Sequence, residues 1–326
     1  MKPRYRVTEA LHKDPVSESI KVTSTASEIT VTSAGNKAVI ATSPFKIDFY
    51  QGDTLTTTVN SRGLMNFEHL RKKPEPPPQQ EEGADPPPEE DPGAWEENFK
   101  GHHDSKPNGP SAVALDFTFH QANILFGIPE HADSFALKST TGGEPYRLYN
   151  LDVFEYELAS TMALYGSVPV IYGHGAGSTT GVFWQNAAET WVDIAGIDAE
   201  QNVMSSIVKF VGGSRQSDPP SAHFMSESGI IDVFILLGPS PTEAFRQYTD
   251  LTGNGNLPQI FAIAYHQCRW NYNDEQDVAQ VSAKFDEHDI PMDTMWLDIE
   301  YTDAKKYFTW DHIKFPHPVE MIKNLS

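Results

Sequence analysis

A change of hydrophobic period near residue 257 constrains this chain more than any other feature. Before it, apolar residues alternate in short runs: EITVTSAGNKAVIAT, PFKIDFYQGDTLTTTV, AVALDFTF, FALKS, YRLYNLDV, SVPVIYG, TGVFWQN, TWVDIAG, SSIVKFVGG and IIDVFILLG, bounded by Gly, Pro, Asn or Ser. A period of two belongs to strands with one buried face, and many such strands between turn residues predict a β-sandwich. After it, LPQIFAIAYHQ is almost continuously apolar, as in a parallel strand buried on both faces. Val278, Val281 and Phe285 then recur at helical spacing, and MDTMWLDI supplies a second strand. Strand, helix and strand over 259–299 make a βαβ unit with a parallel pair. Asn273 and Gln276 offer an amide capping box at the helix start, and Pro318 opens a further helix.

One helix and a short second one cannot cover two parallel strands that are apolar on both faces. The expected architecture is therefore an all-β N-terminal sandwich followed by the first βαβ unit of an incomplete (β/α)8 TIM barrel. Its expected parts are a sandwich over 1–240, a linker helix over 241–256 built on PTEAFRQYTDLTG, and a barrel start over 257–326. Within the sandwich, 72–98 is read as a disordered surface insertion. From Pro74 to Ala94 it holds eight of the 24 prolines and seven of the 45 acidic residues with no basic one, a self-repelling composition that favours polyproline II.

The formal charge of −21 repels phosphate backbones and anionic lipid, so nucleic acid and membrane surfaces are not expected partners. No apolar run reaches the roughly 20 residues that span a bilayer, and the opening MKPRYRVTEALHKD has no signal-peptide pattern. One cysteine, Cys268, excludes an internal disulfide. Among twelve histidines there is no HExxH or His-x-His pair, and no metal site or cofactor is expected.

The residue that stands out is Asp298, in Trp296-Leu297-Asp298-Ile299-Glu300-Tyr301. It sits where an apolar parallel strand runs out, the end at which α/β sheets and barrels bind ligands. A carboxylate there can accept two hydrogen bonds from neighbouring sugar hydroxyls, and Trp296 and Tyr301 offer flat faces to sugar C–H groups. The same position also suits an Asp that caps turn amides. Three other features are read as structural. Trp191-Val192-Asp193-Ile194 repeats the pattern inside antiparallel strands, where Asp193 should face solvent; Gly173 to Gly181 lacks the Lys of a P-loop and reads as a hairpin; His266 and Cys268 share one side of a strand and read as packing.

The segments PEHADSFALKS, GGEPYRLYNLDVFEYEL, FWQNAAETWVDI, YHQCRWNYNDEQDV and WLDIEYTDAKKYFTWD resemble α-glucosidases of glycoside hydrolase family 31. The resemblance covers nearly the whole chain outside the Pro-rich stretch, with Tyr301 and Cys268 standing where His and Ser are usual. It implies a retaining mechanism acting on terminal α-linked glucose of oligosaccharides. It also implies that Asp152 and Asp298 bind the sugar and that Ile299 lines the pocket. The nucleophile belongs to a later Trp-x-Asp-Met-Asn-Glu motif that is absent here, so no catalytic residue is expected in this chain, and it should be inactive alone. Two further roles remain open, a non-catalytic carbohydrate-binding fragment and a cytosolic enzyme acting on glycogen-type glucans. The family members most similar in motif trim N-glycans in the endoplasmic reticulum lumen beside a non-catalytic β-subunit.

Overall fold

The structure, a computed structural model, describes residues 4–12, 19–69, 96–105, 109–197 and 218–326. Most of the Pro/Glu-rich stretch and all of SSIVKFVGG lie outside the described residues. The chain divides into two compact units, Met1–Asn254 and Gly255–Ser326.

In the first unit the strands are β1 (Lys21–Ser24), β2 (Glu28–Ser33), β3 (Asn36–Thr42), β4 (Phe45–Gln51), β5 (Thr54–Val59), β6 (Asn66–Phe67), β7 (Glu96–Phe99) and β8 (His102–Ser105). They continue as β9 (Val113–Phe119), β10 (Ile124–Gly127), β11 (Tyr146–Leu148), β12 (Val170–Gly175), β13 (Ser178–Trp184), β14 (Thr190–Ala195), β15 (Ser221–Ser226) and β16 (Val233–Leu236). Among the described residues one sheet runs β1-β2-β3-β4-β5-β9-β15-β14-β11 with β6 beside β9, and a second runs β10-β12-β13-β16; β7 pairs with β8. All these pairings are antiparallel, as hairpin connections require. FALKS, expected as a strand, is irregular, its Leu137 tied by its amide to the Leu125 carbonyl.

Alternation assigns each face. On β13, Val182 and Trp184 enter the core between the sheets, with Phe117, Phe119, Ile171 and Phe224, whereas Phe183 points the other way. That second face is not solvated. It is covered by helix α1 (Pro241–Thr252), whose Ala244, Tyr248 and Leu251 pack on Val170, Tyr172 and Phe183. Ser240 caps α1 by accepting the Glu243 amide at 3.1 Å, and Gly253, at φ +83°, ends it. The segment from Gly173 to Gly181 forms the β12–β13 hairpin, and a Cβ at Gly173 would meet the Phe119 ring at 2.6 Å. Glycine there lets an aromatic ring lie directly on the strand.

The second unit holds strands β17 (His266–Cys268) and β18 (Thr294–Trp296), paired in parallel, with α2 (Glu275–Glu287) between them and α3 (Pro318–Leu325) after them. Its core is Tyr272, Val278, Phe315 and Met321. Two expectations are corrected. LPQIFAIAYHQ is not one long buried strand: Ile260–Ile263 is a 3-10 turn, Leu257 is 96 % exposed and Ile260 81 % exposed. The parallel pair is three residues long on each side, and α2 meets that run through the Phe285 ring, 5.7 Å from Tyr265. The α2 cap lies one residue later than expected. Asp274, with extended backbone, accepts the Asp277 amide at 2.8 Å, and Asp277 reaches back to the Asn273 amide at 2.9 Å. A charged acceptor at the positive end of the helix outcompetes the neutral amide. Among the described residues no helix is long and apolar enough to cross a membrane.

Candidate functional site

Parallel pairing of Cys268 with Trp296 brings the carboxyl ends of β17 and β18 side by side. Just beyond those ends, Asn271 and Asp298 form an isolated antiparallel bridge. Asp298 has φ +60°, the left-handed region that most residues avoid and Asp tolerates best after Gly and Asn. Its side chain is exposed and has no hydrogen bond or ion pair among the described residues. An Asp serving as a turn cap would hold a backbone amide, and this one does not. Cys268 is exposed rather than packed in a core, and partial desolvation of its thiol together with the Asp298 charge pushes its pKa up.

The segments joined by this bridge also carry Trp270, Trp296, Glu300 and Tyr301. Trp270, 60 % exposed, stands one residue before the bridge and donates its indole N–H to Glu300 Oε1 at 3.1 Å. Glu300 also pairs with Lys305 and lies 3.9 Å from Lys314. Hydrogen bonds from Lys305 and Trp270 hold the Glu300 carboxyl below its ordinary range. Trp296 is exposed too, and its indole N–H donates to His266 Nδ1 at 2.8 Å while His266 Nε2 faces the Phe261 carbonyl at 3.0 Å. Tyr301 does not offer a free face: its ring packs 4.9 Å from Trp310 in the hydrophobic core, and its carbonyl accepts the Asp311 amide at 2.7 Å. Ile299 is half-buried, and its carbonyl accepts both the amide and the hydroxyl of Thr302, closing the turn after Asp298.

Asp152 lies in the first unit, on the irregular stretch between β11 and β12. It is exposed, and Phe154 and Tyr156 beside it are exposed as well. The stretch is tied at its base, where Asn150 Oδ1 accepts the Gly166 amide at 2.8 Å. Asp298 and Ile299 are thus neighbours in one unit, and Asp152 belongs to the other. Asp193, on the outer face of β14, accepts the Thr140 hydroxyl at 2.8 Å. Among the described residues no group of three His, Cys, Asp or Glu could hold a metal ion. Trp270 escaped the reading of the sequence because the signal for it is a tertiary bridge; its place two residues after a short parallel strand was the clue available.

Residues 1–193 match the glycosyl hydrolase 31 N-terminal galactose mutarotase-like domain, and residues 255–326 match the TIM-barrel domain of glycosyl hydrolases family 31. The chain belongs to glycoside hydrolase family 31. Within that family it is 47 % identical over its whole length to neutral alpha-glucosidase AB of Mus musculus, and it spans 37 % of that relative. The ER glucosidase II heterodimeric complex of catalytic subunit and the binding domain of the regulatory subunit superposes with a TM-score of 0.83 at 42 % identity, over 98 % of this chain and 34 % of that one. The glucosidase II alpha subunit bound to alpha3-Glc2 gives the same figures. The chain therefore spans about a third of the length of the relatives it matches, and its second unit corresponds to the start of the family's barrel.

Proposed function

We propose that this chain is part of an α-glucosidase that removes terminal α-linked glucose from oligosaccharides by a retaining mechanism, with Asp298 gripping the glucose and Ile299 and Trp270 lining its pocket; for Asp152, in the first unit, the family resemblance supports a substrate contact. The observation that carries the reading is Asp298 itself: a carboxylate at the carboxyl ends of parallel strands, in a left-handed backbone conformation, with no protein partner among the described residues. Strained residues that stabilise nothing locally gather at ligand sites, and the relatives are α-glucosidases. These 326 residues supply groups that hold the sugar; the attacking carboxylate and the acid that protonates the leaving oxygen lie outside them.

The ER glucosidase II complex supports an endoplasmic reticulum setting and assembly with a regulatory subunit, and the family resemblance adds N-glycan trimming. The test is calorimetric titration of the protein with an α-1,3-linked glucose disaccharide. Asp298→Asn should weaken binding about 10- to 100-fold, as loss of a charge-assisted acceptor does. Unchanged affinity would remove Asp298 from the site.

A further inference from the structure

We infer that Glu300 is a positioning residue for this sugar site: by accepting the Trp270 indole N–H it fixes an exposed aromatic ring beside Asp298 and leaves only the ring's apolar face for the substrate. The inference rests on the proposed sugar site and names a residue that neither the motif nor the strand pattern assigns to it.

Three observations converge on Glu300. It follows Asp298 by two residues, across the turn that the Ile299 carbonyl closes with Thr302. Its Oε1 accepts from Trp270, the residue before the Asn271–Asp298 bridge, at 3.1 Å. The carboxylate is in turn held by Lys305, with Lys314 at 3.9 Å, so its own position is fixed by groups other than Trp270. A tryptophan that is 60 % exposed normally samples several rotamers, and ordering it costs free energy when a ligand arrives. Tying its one polar atom to an anchored carboxylate removes that cost in advance. The tie also has a chemical consequence. With the N–H occupied, Trp270 cannot donate to a sugar hydroxyl, so it contributes apolar contact to C–H groups, and discrimination between hydroxyl configurations falls to Asp298.

The experiment compares the protein with its Glu300→Ala, Glu300→Gln and Trp270→Phe variants. The readouts are the Trp270 indole N–H resonance by NMR and calorimetric affinity for the α-1,3-linked glucose disaccharide. Glu300→Ala should shift the indole N–H resonance, speed its exchange with water, and weaken the sugar by about 3- to 10-fold, the range of one hydrogen bond. Glu300→Gln, which keeps an acceptor oxygen and tolerates the same fold, should restore most of both. Adding Glu300→Ala to Trp270→Phe should cost nothing further, because the glutamate acts through that ring. An unmoved indole resonance in Glu300→Ala, or an undiminished affinity while Asp298→Asn weakens binding as expected, overturns the positioning role and leaves the sugar site standing. If Asp298→Asn also binds normally, the failure is that of the site.

Discussion

At the scale of single residues, two aspartates show how environment divides roles. Asp116 is fully buried in β9 and accepts the Arg62 amide at 2.9 Å, the Leu64 amide at 3.0 Å and the Ser61 hydroxyl at 3.3 Å. It is a structural group, since each buried N–H left without its acceptor costs about 1–3 kcal/mol. Asp116→Ala should therefore lower the stability of the first unit by about 2–4 kcal/mol in a denaturant melt, with sugar affinity unchanged. Asp298 should behave in the opposite way. Asn tolerates a left-handed backbone nearly as well as Gly, so Asp298→Asn should lose affinity and keep its melting temperature. Asp298→Ala should lose both, by about 1 kcal/mol in stability, because alanine pays the strain at φ +60° without a polar side chain. The sequence could single out Asp298 from the end of an apolar run. It could not separate a cap from a ligand, because that depends on whether amides are within reach.

At the scale of elements, the starts of α2 and α3 are joined by one ion pair. His317 Nδ1 lies 3.1 Å from Glu275 Oε1, and the His317 amide also donates to Glu275. The pair raises the His317 pKa above its ordinary 6.5 and lowers that of Glu275. A histidine whose folded pKa is raised contributes fully below the unfolded value and loses that contribution as pH rises through the folded one. An NMR titration should place the His317 midpoint above 6.5, and Glu275→Gln should bring it back. A midpoint at or below 6.5 in the parent would contradict the link. Both helix starts were legible in the sequence from Asn273, Gln276 and Pro318, the first one residue early; their pairing was not, since it joins residues 42 positions apart. In the sandwich, Trp184 is fully buried, with its indole N–H donating to Ser226 at 2.9 Å and its ring against Phe117 and Phe224. Trp184→Ala should cost about 3–5 kcal/mol, measured on the first unit's transition.

At the scale of the whole molecule, the two units should respond to pH in opposite directions. His120, His131 and His223 in the first unit have pKa values pushed below 6.5, chiefly by burial. The unfolded chain then takes up protons before the folded one, so their contribution is complete above pH 6.5 and declines as pH falls through it. Between pH 7.5 and 5.5 the first unit's melting temperature should drop, while the His317–Glu275 link strengthens the second; calorimetric scans across that range would show one transition moving down relative to the other. The alternating runs and the change of period near residue 257 were enough to set an all-β layer pair apart from a βαβ start, because burial of one face imposes a period of two and burial of both erases it. The glycines and turn residues likewise marked the β12–β13 hairpin. What the sequence could not decide was which apolar run finds cover. LPQIFAIAYHQ has the composition of a buried strand, yet burial requires another layer, and only the packed structure shows a three-residue strand with exposed neighbours. Tyr301 went the other way, from an expected sugar platform into the core, because Trp310 lies nine residues on and folds back over it. Side-chain chemistry is written along the chain; whether a given carboxylate or ring meets protein, solvent or ligand is set by contacts between distant residues, and those exist only once the chain has closed on itself.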